Sequence, residues 1–171
     1  NLTGKELVAK KVRRLVVMAG CMLNETSPEY NVTKDVPSAR KVFSEWPTEL
    51  VTSPFEVGIN IVYPAKSIEE DFGWVDRHPM VEGYKAYQPM PHDRPTWDLT
   101  SVLYAVEGIE ANGVPYFTVQ GPGIIDFDDA GCTFFTPDPD GDRYYLSVDS
   151  LQAANVLGHF KEMLVAEPAC L

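Results

Sequence analysis

Four consecutive apolar residues, Leu15-Val16-Val17-Met18, follow a basic segment and run directly into Ala19-Gly20 and a polar loop. A short apolar run rich in β-branched residues, with no alternation, is the pattern of a strand covered on both faces, as strands of a parallel sheet are. Just before it, Thr3 and Glu6 have the spacing of a capping box, so a helix is expected from Lys5 to about Val12. A helix feeding a doubly covered strand places the chain in the α/β class. The cations ending that helix, Lys10, Lys11, Arg13 and Arg14, suit a helix C-terminus and a solvated face, and no function is assigned to them.

After the polar loop Cys21 to Lys34, Asp35-Val36-Pro37 opens a second helix, with Ala39, Val42, Phe43 and Trp46 on one face and Pro47 at its end. Glu49 to Val57 reads as the next strand, completing a strand-loop-helix-strand unit over residues 15–57. Its first loop lies beyond the C-terminal end of a strand, the edge where open α/β sheets bind ligands. From Pro64 to Pro95 the texture changes to short helical pieces rich in aromatics and prolines, either a lid or a packed connection. Asp98 to Val106 reads as a helix with Leu99, Val102, Leu103 and Val106 on one face. The period then switches: Tyr116 to Gln120, Ile124 to Phe127, Cys132 to Thr136 and Arg143 to Val148 read as short strands between Gly, Pro and Asp turns. A closing helix, about Ser150 to Val165, is expected to bury Leu157, Phe160 and Leu164. The expected organisation is one domain or domain fragment over 1–171, made of a 1–60 unit, a 61–97 helical connection or lid, and a 98–171 part.

Charge narrows the partners. Fourteen Lys plus Arg against 25 Asp plus Glu give a net −11, a surface that repels phosphate backbones and anionic lipid, so neither nucleic acid nor membrane is expected to bind. The apolar run at 15–18 is far short of the ~20 residues of a membrane span, and a soluble protein is expected. The compartment is not readable: a cytoplasmic, periplasmic or secreted bacterial protein would each fit. Cys21, Cys132 and Cys170 match neither a disulfide framework nor a zinc knuckle and read as free thiols.

Several familiar chemistries are excluded. Asp138-Pro139-Asp140-Gly141-Asp142 resembles a calcium loop, but its glycine falls too early and no Glu closes it, so it reads as a turn. Asp126, Asp128 and Asp129 likewise read as a hairpin surface, and there is no P-loop, glycine-rich phosphate fingerprint or nucleophile elbow. His78 and His159 read as surface or capping residues. His92 precedes a helix at a point where the chain could cross the ligand-binding edge. It could serve as an acid or could be a loop histidine bonded to a neighbouring carboxylate.

In the first loop, Glu29 and Asn31 stand two residues apart. If that segment is extended, both point the same way, a pair suited to hydrogen-bonding vicinal hydroxyls.

The segment Leu15 to Ala39, with Met18, Glu29, Asn31 and Asp35 followed by Pro37-Ser38-Ala39, resembles the central motif of the inosine-uridine preferring nucleoside hydrolase family. There, a strand ending Met-Gly-Gly leads to Glu-Phe-Asn and Asp-Pro-Glu-Ala-Ala. Trp97-Asp98-Leu99-Thr100-Ser101-Val102-Leu103-Tyr104-Ala105 resembles that family's His-Asp-x-x-Ala-Val-x-Tyr helix start. The resemblance implies the C-terminal part of an open, mainly parallel sheet flanked by helices, with a short-strand antiparallel region near residues 116–148. It implies an N-glycosyl hydrolase that uses Ca²⁺-activated water on ribonucleosides, and a homo-oligomer. By carry-over, Met18, Asn24, Glu29 and Asn31 line the ribose subsite and Asp98 is a calcium ligand. A catalytically weak nucleoside- or sugar-binding relative is the alternative.

Two departures qualify these expectations. The family's Asp-x-Asp-Pro-Gly-x-Asp-Asp signature appears nowhere in the 171 residues, and calcium takes about six to eight oxygens. An N-terminal segment or second chain completing the sheet is therefore expected, with little activity without it. Trp97 also stands where the family has His. Since Trp has no proton to give in this range, His92 becomes the candidate acid and Trp97 a stacking residue for base or sugar.

Overall fold

The structure, a computed structural model, describes residues 1–168; Cys170, one of the thiols expected to be free, lies outside them. Helix α1 (Gly4–Lys11) begins with the expected capping box: the Glu6 amide donates to the Thr3 hydroxyl, and the Thr3 amide donates to the Glu6 carboxylate at 2.7 Å. Strand β1 (Arg14–Met18) follows, then α2 (Tyr30–Lys34) and α3 (Val36–Glu45), the latter capped by Asp35 with Pro37 in its first turn. Next come β2 (Glu49–Ser53), α4 (Phe55–Ile59), β3 (Val62–Tyr63), α5 (Ala65–Glu70), α6 (Pro79–Tyr87) and β4 (Arg94–Pro95). The chain continues through α7 (Trp97–Glu107), the small hairpin β5 (Glu110–Ala111) and β6 (Val114–Pro115), β7 (Thr118–Phe127), β8 (Thr133–Pro137), β9 (Arg143–Ser147) and α8 (Ser150–Val165).

Five strands form the main sheet in the order β1-β2-β9-β7-β8. β1, β2 and β9 run parallel, whereas β7 pairs antiparallel with both β9 and β8. The expected α/β class is thus present, with the antiparallel region built into the same sheet. Leu50 and Val51, adjacent on β2, point to opposite faces and are both 0% exposed, so the sheet is covered on both sides. Leu50 joins Phe43, Ile125 and Phe127 on the α3 side; Val51 joins Tyr63, Leu103, Leu146 and Phe160 on the other.

Arg143, buried on β9, explains how α3 docks. Its guanidinium donates to the carbonyls of Phe43, Trp46 and Thr48, at and just beyond the helix C-terminus, and pairs with Asp142. Those carbonyls have no helical partner, and a planar cation satisfies several at once.

Five expectations need correcting. The strand expected over Glu49 to Val57 ends at Ser53, because Pro54 cannot donate to a ladder, and the chain turns into α4. The strands expected at Tyr116 to Gln120 and Ile124 to Phe127 are one bent strand, β7, whose register against β9 shifts between Gln120 and Gly123, where Gly121 has φ +127°. On α7, the buried positions are Thr100, Ser101, Leu103 and Tyr104, while Val102 and Val106 are 59% and 78% exposed. On α8, Val156 and Phe160 are buried while Leu157 and Leu164 are only half-buried. His159 is no surface residue: its Nε2 lies 3.0 Å from Glu107 and its Nδ1 3.1 Å from the Tyr116 hydroxyl, tying α8 to the end of α7.

Candidate functional site

The chain leaves β1 at the C-terminal edge of the parallel strands, and the turn there is fixed from several sides. Gly20 takes φ +85°, which a side chain would strain, and its carbonyl accepts from the Phe55 amide at 2.8 Å. Ala19 accepts from the Thr52 hydroxyl, and the Cys21 amide donates to Thr133 Oγ1 at 3.1 Å.

Glu29 supplies the strongest restraint. Its side chain, 3% exposed, accepts from three backbone amides: Asn31 at 3.0 Å on one oxygen, Gly20 at 3.2 Å and Val32 at 3.1 Å on the other. It is the N-cap of α2 and fastens that helix to the end of β1. The extended alternation expected for Glu29 and Asn31 therefore does not occur. Capping by the carboxylate favours a helical turn from Tyr30, so Glu29 faces inward while Asn31 is exposed. Asn31 Nδ2 donates back to Met18, to its carbonyl at 3.3 Å and its sulfur at 2.9 Å.

Opposite stands the N-terminal turn of α7. No side chain caps this helix; it is seated by hydroxyls instead, Thr100 lying 2.7 Å from Ser53 at the end of β2 and donating to the Trp97 carbonyl. Between β1, α2 and α7 lies a hollow of about 490 Å³ lined by Met18, Asn31, Asp98, Ser101 and Val102 among others. Three of the residues singled out from the sequence, Met18, Asn31 and Asp98, thus face one space, although Asn31 and Asp98 stand 67 positions apart in the chain. Its size falls in the range of small-molecule sites, roughly 300–1,000 Å³.

The other singled-out residues lie elsewhere. Asn24 is exposed in its own turn, its oxygen accepting from the Thr26 amide and hydroxyl at 3.0 and 2.7 Å. Trp97 packs on Phe55 with ring centroids 5.7 Å apart and donates to the Phe55 carbonyl. His92 stacks on Tyr84 at 5.2 Å with Nδ1 3.3 Å from the Pro89 carbonyl, and it does not line the hollow. Ser101 was missed, although its place three residues after Asp98 puts both on one helical face. Glu56 was missed too. It lies in the first turn of α4, accepts from the Met22 amide at 2.9 Å, and burial raises its carboxyl pKa.

The donor set does not by itself fit a calcium ion. Among the described residues no three His, Cys, Asp or Glu side chains gather into a metal-holding group, and Asp98 is the one carboxylate lining the hollow. That is far from the about six to eight oxygens calcium takes.

No protein-family model matches the chain, and no curated protein matches it. Among solved structures, a plant nucleoside hydrolase, the PpNRh1 enzyme, superposes with a TM-score of 0.62 at 17% identity, over 95% of this chain and 56% of that one. The chain therefore has a nucleoside-hydrolase-like fold along nearly its whole length, and it spans a little over half the length of the enzyme it matches.

Proposed function

We propose that this chain forms the sugar-holding part of a nucleoside hydrolase-like site, which in complete form cleaves the N-glycosidic bond of ribonucleosides. The observation that carries this reading is the convergence of Met18, Asn31 and Asp98 on one hollow at the C-terminal end of β1, in a chain whose fold matches a nucleoside hydrolase. With its nitrogen held by Met18, the Asn31 amide offers its oxygen to a sugar hydroxyl, and the Ser101 hydroxyl and Asp98 carboxylate stand across the space. A carboxylate has about four lone-pair sites, and Glu29 uses three on backbone amides, which leaves one for a hydroxyl. Carboxylates around an anomeric carbon favour the oxocarbenium-like transition state of glycosidic cleavage.

We further propose that Asp98 gives one oxygen to a Ca²⁺ site whose other ligands come from further polypeptide seated along β1. Among the described residues β1 is an edge strand with one side of its ladder unpaired, all five of its residues are only half-buried, and the neighbouring α7 turns Val102 and Val106 outward.

A second reading, nucleoside or sugar binding without turnover, is favoured by one observation: the residues lining the hollow include no His, Lys, Tyr or Cys to act as general acid towards a departing base. Base release from inosine and uridine by the complete protein separates the two. Turnover abolished by Asp98→Asn supports hydrolysis. Ribose binding that Asn31→Ala weakens, without turnover in either protein, supports the second reading. Neither turnover nor ribose binding would defeat both.

A further inference from the structure

Glu56 is the feature the proposed site does not use. Its Oε1 accepts from the Met22 amide at 2.9 Å, while its Oε2 is buried with no hydrogen-bond partner among the described residues. The side chain reaches from the start of α4 to the loop leaving β1, where the Cys21 thiol and the Leu23 amide are its other polar neighbours. The same loop is also held by Glu29, which accepts from the Gly20 amide. Two carboxyls on different elements thus grip one short segment, Glu29 with both oxygens engaged by backbone amides and Glu56 with one oxygen unpartnered among the described residues.

We propose that Glu56 is a positioning residue for the candidate site: it anchors the Cys21–Asn24 segment beside Met18, so that the sugar-facing end of β1 is rigid before ligand arrives. This rests on the sugar-binding reading for its consequence but not for the anchor itself. The other hydrogen bonds described for the turn act at Ala19, Gly20 or Cys21, while the Met22 side chain packs on the core beside Phe43 and Phe127. Beyond those residues the Met22 amide has Glu56 as its partner, and Asn24 is held within its own turn by Thr26. An acceptor on α4 ties the loop to the same helix that Trp97, next to Asp98, packs against. Burial raises the Glu56 carboxyl pKa, with desolvation the largest cause, and it raises the Cys21 thiol beside it.

The test uses the complete protein and the variants Glu56→Ala and Glu56→Gln, with amide hydrogen exchange read at Met22 and Leu23 and D-ribose affinity by calorimetry. Glu56→Ala is expected to speed Met22 exchange by about tenfold or more, the effect of losing one buried hydrogen bond, and to weaken ribose to a similar degree. Glu56→Gln, which keeps an acceptor oxygen, is expected to restore both to within about threefold of the parent. Unchanged Met22 exchange in Glu56→Ala, or Glu56→Gln behaving like Glu56→Ala, would overturn the anchor. A parent protein that does not bind ribose would instead defeat the sugar-binding reading, and the exchange arm would still decide the anchor.

Discussion

Replacing Glu29 by Ala is the sharpest test of how the loop is built. The change removes a side chain that is 3% exposed and holds three backbone amides at 3.0, 3.2 and 3.1 Å. A hydrogen bond to a charged group is worth about 1.5–3 kcal/mol, and a buried donor left unpaired costs about 1–3 kcal/mol. Gly20 and Val32 are buried residues and their amides would be stranded, whereas Asn31 is exposed and its amide can turn to water. Two stranded donors and one rehydrated donor give a loss of about 3–5 kcal/mol, a large share of the roughly 5–15 kcal/mol that folds a typical domain. For a chain of this size that corresponds to a fall in Tm on the order of 10 °C. Urea titration followed by circular dichroism is the assay. The midpoint should drop with an unchanged slope, and Glu29→Gln, which keeps one acceptor, should lose only about 1–3 kcal/mol. A Glu29→Ala protein within about 1 kcal/mol of the parent would refute the three-amide cap.

Arg143→Lys should lose about 2–4 kcal/mol despite conserving charge, because a compact ammonium cannot span the Phe43, Trp46 and Thr48 carbonyls; equal thermal melts would count against that role. Gly58→Ala places a methyl on the backbone of Trp97, so α4 and α7 must separate; a loss of about 2 kcal/mol or more and weaker ribose binding are expected, measured by melting and calorimetry. Glu56 carries a pH signature. Its folded pKa lies above the usual carboxylate value, so its contribution is fully present below that value and is lost as pH rises through the folded one. Urea midpoints of parent and Glu56→Gln should therefore diverge in Gln's favour as pH rises above the carboxylate range, and parallel pH profiles would contradict the buried carboxyl.

The local elements were written in the chain. The Thr3/Glu6 box, Asp35 before Pro37, and the unbroken apolar run at Leu15–Met18 each act within a few residues, so local spacing is enough to find a helix start or a covered strand. Pro54 was equally visible as a strand breaker, yet the apolar Val57 beyond it drew the expected strand too far. Which apolar face of α7 would be buried could not be settled that way. Thr100 and Ser101 sit inward because Ser53 and the rim of the hollow receive them, and Val102 and Val106 are left outside beside an edge strand.

At the site, the sequence alone determined which residue types stand at the C-terminal end of β1 and at the head of α7. Tertiary structure decided which of them meet. Met18, Asn31 and Asp98 share a hollow because β1 and α7 pack against each other across a long stretch of chain. Glu29 turns inward because three unpaired amides outcompete an extended backbone for its carboxylate. Trp97, next to Asp98, and His92, a few residues before it, are taken by Phe55 and Tyr84. The physical reason is range: capping and periodicity act between near neighbours, whereas the orientation of a side chain follows from whichever distant surface and unpaired polar group the fold places beside it.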